Sequence, residues 1–241
     1  SLAIGNPSLS TLYASIYKGG FLRYTPNGWL QVSSENGTLA VSPENKVFIA
    51  QNLGTIQSLK QGKVTLPYDR KIKQRYPSQT TLSLSPQNNT ILYAGTNILF
   101  QSLNEGRQWN AISTDLTNGD KGGILSYGTI SAIAESPFQF GLLYTGSDDG
   151  MIYTTQNSGV SWQMIYSSFP TPNRVNCLVA SKHQRERVYA ILQNNSHQTL
   201  VFRSNNMGKS WDNLKANLPE ETANVLIEDP SNEQVLYLGT E

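Results

Sequence analysis

Cysteine is almost missing from this chain: Cys177 stands alone among 241 residues, so no internal disulfide can form. Its setting, Val175-Asn176-Cys177-Leu178-Val179, alternates as a strand does. There Cys reads as a small buried apolar group, and no basic residue within the strand would lower its pKa. Histidine is nearly as scarce. His183 and His197 both lie in polar stretches, which excludes a multi-histidine metal site. Charged residues make up only 15%, and 18 basic against 17 acidic groups leave +1, so no global field gathers nucleic acid or an anionic membrane. No stretch approaches the roughly 20 apolar residues of a membrane-spanning helix. The opening Ser1-Leu2-Ala3-Ile4-Gly5-Asn6-Pro7 lacks the basic segment and apolar core of a signal peptide. The expectation is that a leader has been removed or that the chain is cut at both ends. Gly-x-Ser-x-Gly, Gly-x-Gly-x-x-Gly and phosphate-loop motifs are also missing, and no cofactor or metal is expected.

What the chain has instead is Asn, Gln, Ser and Thr, the residues that cap turns between short strands, and a repeat. Ile91-Leu92-Tyr93-Ala94-Gly95-Thr96 leads to Leu99-Phe100-Gln101-Ser102-Leu103-Asn104-Glu105-Gly106-Arg107-Gln108-Trp109. Leu142-Leu143-Tyr144-Thr145-Gly146-Ser147 leads to Ile152-Tyr153-Thr154-Thr155-Gln156-Asn157-Ser158-Gly159-Val160-Ser161-Trp162. Arg187-Val188-Tyr189-Ala190 leads to Val201-Phe202-Arg203-Ser204-Asn205-Asn206-Met207-Gly208-Lys209-Ser210-Trp211. A last copy opens at Val235-Leu236-Tyr237-Leu238-Gly239-Thr240, and two degenerate copies begin at Leu12 and Val47. The tryptophans are 53 and 49 residues apart, a period near that of one four-stranded propeller blade. Each inner strand ends at a turn, Ser42-Pro43, Ser85-Pro86, Ser136-Pro137 or Asp229-Pro230, because Pro cannot donate to a sheet ladder.

The Ser/Thr-x-Asn-x-Gly-x-x-Trp element resembles the Asp-box, the repeat of bacterial neuraminidases. The chain as a whole resembles sortilin-like and sialidase-like "glycosyl hydrolase" repeat proteins of bacteria, most closely from residue 90 onward. The resemblance implies an all-β fold, a β-propeller of four-stranded blades. About five blades are complete and another begins, so residues 1–241 form a single Asp-box domain within a larger propeller. It also implies structural roles for Ser102, Asn104, Gly106 and Trp109, for Thr155, Asn157, Gly159 and Trp162, and for Ser204, Asn206, Gly208 and Trp211. The Asn accepts turn N–H groups, the Gly takes a positive φ, and the Trp fills a buried position beside the neighbouring blade. Asn stands where the family has Asp, which disfavours calcium at these turns. The unit opening at Asn224 would leave an apolar edge at Leu236-Tyr237-Leu238, inviting association.

Candidate sites are few. Arg70, Lys71, Lys73 and Arg75, between Tyr68 and Tyr76, could form a basic patch, but read first as a solvated loop. Asp148 and Asp149 read as turn formers. Asp115, Asp120 and Glu135 are the remaining acids from which a glycosidase pair could be drawn. The arginines Arg23, Arg107, Arg174 and Arg203 are scattered, without the Arg-Ile-Pro segment of sialidases. The expected function is a non-catalytic scaffold that binds a protein or peptide, or assembles a complex, outside the cytoplasm. A glycan is a further possible ligand. The alternative is a glycoside hydrolase resembling the xyloglucanase type.

Overall fold

Short runs of alternating or continuous apolar residues, broken by Gly-, Pro- and Asn-containing turns, give antiparallel β sheets across the described residues, with one short 3-10 turn at Asn52–Gly54. The computed structural model describes residues 2–4, 12–16, 19–35, 37–68, 73–119, 128–165, 174–194, 198–214, 218 and 221–240. Among them, successive strands pair in sequence order as meanders. The first sheet holds β1 (Leu2–Ile4), β2 (Leu12–Ile16), β3 (Gly20–Thr25) and β4 (Gly28–Ser33). The second holds β5 (Thr38–Val41), β6 (Val47–Ala50), β7 (Thr55–Ser58) and β8 (Gly62–Thr65). The third holds β9 (Thr81–Leu84), β10 (Leu92–Gly95), β11 (Leu99–Ser102) and β12 (Asn110–Ala111). The fourth holds β13 (Ile130–Glu135), β14 (Leu143–Ser147), β15 (Ile152–Thr155) and β16 (Gln163–Met164). The fifth holds β17 (Arg174–Ala180), β18 (Val188–Gln193), β19 (Thr199–Ser204) and β20 (Asp212–Asn213). A hairpin of β21 (Ala223–Glu228) and β22 (Leu236–Thr240) follows.

By contact the chain divides into two units, Ser1–Thr96 with Phe100–Ala111, and Asn97–Leu99 with Ile112–Glu241. In the first, Tyr13, Phe21, Val47 and Ile49 form a core shared by the first two sheets. In the second, Ala132, Tyr144, Ile152, Val175, Leu178 and Phe202 join the fourth sheet to the fifth. Tyr189, Ile191 and Val201 of the fifth then pack on Ala223 and Leu226 of the last hairpin. The second strands β6, β10 and β14 are buried at every position, as strands covered on both faces are.

The first strands of the last three sheets, β13, β17 and β21, each carry a register shift at the same place, between Ile130 and Ala132, Val175 and Cys177, and Ala223 and Val225. These pairs mark equivalent positions in the three sheets. Gly146 needs its hydrogen side chain because a methyl there would fall 2.3 Å from Val175 Cγ1 of the next sheet. On the last hairpin the corresponding outer face is bare: Val225, Ile227 and Tyr237 are 46%, 52% and 55% exposed. Cys177 is half-buried on β17, and burial pushes its thiol pKa up, in keeping with an apolar role.

Candidate functional site

The three Ser/Thr-x-Asn-x-Gly-x-x-Trp segments adopt one geometry. Ser102 Oγ donates to Asn104 Oδ1 at 3.1 Å and accepts the Gly106 N–H at 2.9 Å, while Asn104 Oδ1 accepts the Gln108 N–H at 2.9 Å. Thr155, Asn157, Gly159 and Ser161 make the same bonds at 2.9, 3.0 and 2.9 Å. Ser204, Asn206, Gly208 and Ser210 make them at 2.9, 2.8 and 2.9 Å. The residue before each glycine is left-handed, with φ of 59° at Glu105, 57° at Ser158 and 57° at Met207. That twist aims its N–H at the turn between the sheet's first two strands: Glu105 to Thr90 O, Ser158 to Gly141 O, and Met207 to Glu186 O. Hydroxyl and amide side chains thus satisfy backbone donors that would otherwise be orphaned.

The tryptophans are less alike than their spacing implies. Trp109 is buried and donates Nε1–H to Gly106 O of its own turn at 2.9 Å. Trp162 is half-buried and donates to the carbonyl of Ile112 at 2.9 Å. Trp211 is half-buried against the core of the fourth and fifth sheets. The glycines differ too. A methyl on Gly159 would fall 2.3 Å from Ile112 O, and one on Gly208 would fall 2.2 Å from Ile165 Cδ1. One on Gly106 would meet nothing nearer than Trp109 at 3.6 Å, beside a cavity of about 100 Å³.

Carboxylates gather at the opposite end of the fourth sheet. Asp115 accepts Asn97 Nδ2 at 2.9 Å, the Thr117 N–H at 3.1 Å and Thr117 Oγ1 at 2.7 Å. Asp148 is buried and takes the Thr129 N–H at 2.8 Å and Thr129 Oγ1 at 3.1 Å. Asp149 takes Ser147 Oγ at 2.5 Å and the Asn118 N–H at 2.8 Å. Burial raises the Asp149 pKa above the usual carboxylate range, with neighbouring Asp148 adding to it. Tyr153 is likewise pushed up, by burial and then by the charges of Asp115 and Asp149.

Glu135 lies elsewhere. It ends β13, buried, with Oε1 accepting the Gly141 N–H at 3.0 Å in the turn that Ser158 also joins. Thr129, which holds Asp148, precedes the other end of β13, so the strand alone separates the two groups by roughly 16 Å. Glu135 therefore stands apart from Asp148, since a glycosidase pair spans at most about 10 Å, while Asp115 sits with Asn97 and Thr117. Asp120 lies outside the described residues.

The basic loop is only partly described, since Arg70 and Lys71 fall outside. Tyr76 packs over Gly54, with burial raising its pKa, so it is part of the packing rather than an open platform. His183 Nε2 contacts Asp229 O at 2.8 Å, and His197 lies outside the described residues. No group of three or more metal-ligating side chains occurs among the described residues. Spacing gave no sign of the threonines that hold the acids. It also missed a pocket of about 480 Å³ beside β18, lined by Arg185, Arg187 and Arg203 among others.

No protein-family model matches the chain, and no curated protein matches it in sequence. Solved structures do. A GH74 enzyme from Niastella koreensis is 17% identical with a TM-score of 0.68, over 98% of this chain and 40% of that one. The GH74 xyloglucanase from Xanthomonas campestris is 14% identical with a TM-score of 0.55, over 99% of this chain and 50% of that one. YCF48 from Cyanidioschyzon merolae is 13% identical with a TM-score of 0.56, over 95% and 73%. The fold is that of β-propeller proteins. This chain spans half or less of the two GH74 proteins, and at such identity the likeness is one of fold alone. No described helix is long and apolar enough to cross a membrane.

Proposed function

We propose that this chain is part of a non-catalytic Asp-box β-propeller that binds protein or peptide partners, or helps assemble a complex, outside the cytoplasm. Each four-stranded sheet is one blade, about five blades being complete and another begun, and the three Asn-containing turns are structural. One observation carries the reading. Asp115, Asp148, Asp149 and Glu135 each accept hydrogen bonds from backbone N–H groups of neighbouring turns and connectors, and so act as ties within the fold. A catalytic acid must instead face a substrate and exchange a proton with it.

The second reading, a glycoside hydrolase, draws on the GH74 likeness and on the half-buried carboxylate of Asp149, which with Asp115 bears on Tyr153. The two are separated by assaying the protein on xyloglucan and on sialosides. Release of sugar that is lost on replacing Asp115 would favour the enzyme.

A further inference from the structure

The fifth sheet departs from the third and fourth at two adjoining positions. Arg187 has the backbone bonds of Ile91 and Leu142: its carbonyl accepts from Ser181 at 3.0 Å, as theirs accept from Ser85 and Ser136. Ile91 and Leu142 are buried apolar side chains. Arg203 pairs with Tyr189 across β18 and β19, as Thr154 pairs with Tyr144, and it precedes Ser204 as Gln101 precedes Ser102. Thr154 and Gln101 are buried and neutral. Two guanidinium groups therefore stand where the third and fourth sheets are filled with neutral atoms, while the first and second sheets carry one cation each at these positions, Arg23 opposite Tyr13 and Lys46 with its carbonyl on the Ser42 N–H. Beside them lies the pocket of about 480 Å³, completed by Gln184, Arg185, Glu186 and Asn205.

Two of these cations, Arg203 and Arg185, are incompletely answered from within. Arg203 Nε is buried with no hydrogen-bond partner among the described residues, and its ion partner, Asp212, is exposed and 3.7 Å away. Among the described residues Arg185 bonds the neutral Gln139. Arg187 bonds Asn205 at 2.9 Å and exposed Glu233 at 3.1 Å. Buried Glu228 is 4.0 Å from it and already takes Ser181 Oγ, the Lys182 N–H and Tyr189 OH. The exposed Arg203–Asp212 pair is of the kind that is weak and exchanges readily with a better-placed anion. Arginine forks are matched in shape to carboxylates.

We propose that this pocket is a docking site for the carboxylate side chains of an acidic peptide segment. A sugar acid is disfavoured because none of the six lining residues is aromatic, leaving no stacking platform for a pyranose ring. The inference deepens the scaffold reading, but it is tested by binding and not by catalysis, so either can fail alone.

The probe is a fluorescein-labelled peptide of alternating Glu and Gly, with its Gln-for-Glu counterpart as control, followed by anisotropy. The test variant is Arg203→Gln, which installs the residue the third sheet carries at Gln101. We expect the Glu peptide to bind the unaltered protein, more weakly as salt rises. Arg203→Gln should bind it at least about tenfold more weakly, equivalent to about 1.4 kcal/mol, with an unchanged or higher melting temperature. Arg203→Lys, which keeps the charge but not the fork, should fall between. The proposal is overturned by equal binding of the two peptides, by equal binding of Arg203→Gln, or by no binding below about 1 mM. Stronger competition by an oligoglucuronate than by unlabelled Glu peptide would overturn the peptide assignment.

Discussion

The indole of Trp162 donates its Nε1–H to the carbonyl of Ile112, 2.9 Å away and 50 positions earlier in the chain. The same carbonyl oxygen lies where a side chain on Gly159 would have to go. Turn and tryptophan thus grip one backbone group, and Ile112 is itself fixed through its N–H to Leu99 O at 2.9 Å.

Trp109 and Trp162 should therefore respond differently to mutation. Trp109→Ala removes a buried aromatic and is expected to cost about 3–5 kcal/mol. Trp162 is half-buried, so its truncation should cost less. Trp162→Phe, which removes the bond to Ile112, should cost about 1 kcal/mol. Urea melts of the three variants give the order, and a larger loss at Trp162 than at Trp109 would contradict it.

Glycine substitution separates backbone strain from crowding. Gly106→Ala has room, so only its φ of 82° penalises it, by about 1 kcal/mol. Gly159→Ala carries the same strain and also collides with Ile112, so its cost should exceed that of Gly106→Ala by at least about 1 kcal/mol. Equal midpoints in thermal melts would show that the turn yields freely.

The repeat made much of this legible. Tyr93, Tyr144, Tyr189 and Tyr237 mark the second strands, and each Ser- or Asp-containing turn ends an inner strand, because both signals are local in sequence. Side-chain reach is not local. Whether Trp162 bonds its own turn or Ile112 depends on how close two segments come, and no spacing reports that. Arg187 and Arg203 look scattered in sequence. They meet only because β18 and β19 pair with Tyr189 opposite Arg203. Likewise Asp148 and Glu135 are near in sequence, yet β13 lies between Glu135 and the Thr129 that holds Asp148.

Asp149 gives a pH test with a definite sign. Burial raises its folded-state pKa, so the folded protein holds the proton more tightly than the unfolded chain, and its contribution to stability is lost as pH rises. Asp149→Asn does not titrate. Its stability relative to the parent should therefore improve between about pH 3 and pH 6, the range spanning an unfolded aspartate's pKa of about 3.9. A relative stability that falls over that interval would contradict the burial of this carboxylate.

The bare face of the last hairpin should govern association. Val225, Ile227 and Tyr237 form an apolar surface on an edge with one neighbouring strand among the described residues. The 241-residue chain is expected to self-associate in light scattering, and Val225→Lys with Ile227→Thr to reduce the apparent mass. A parent chain that stays monomeric at all concentrations would show that this face is covered.

Reducing-end release from xyloglucan, measured for the protein and for Asp115→Asn side by side, tests the scaffold reading most directly. With Asp115 tied to Asn97 and Thr117, we expect no release by either protein and a lower melting temperature for Asp115→Asn. Release by the parent that vanishes in Asp115→Asn would contradict it and make this chain a glycosidase.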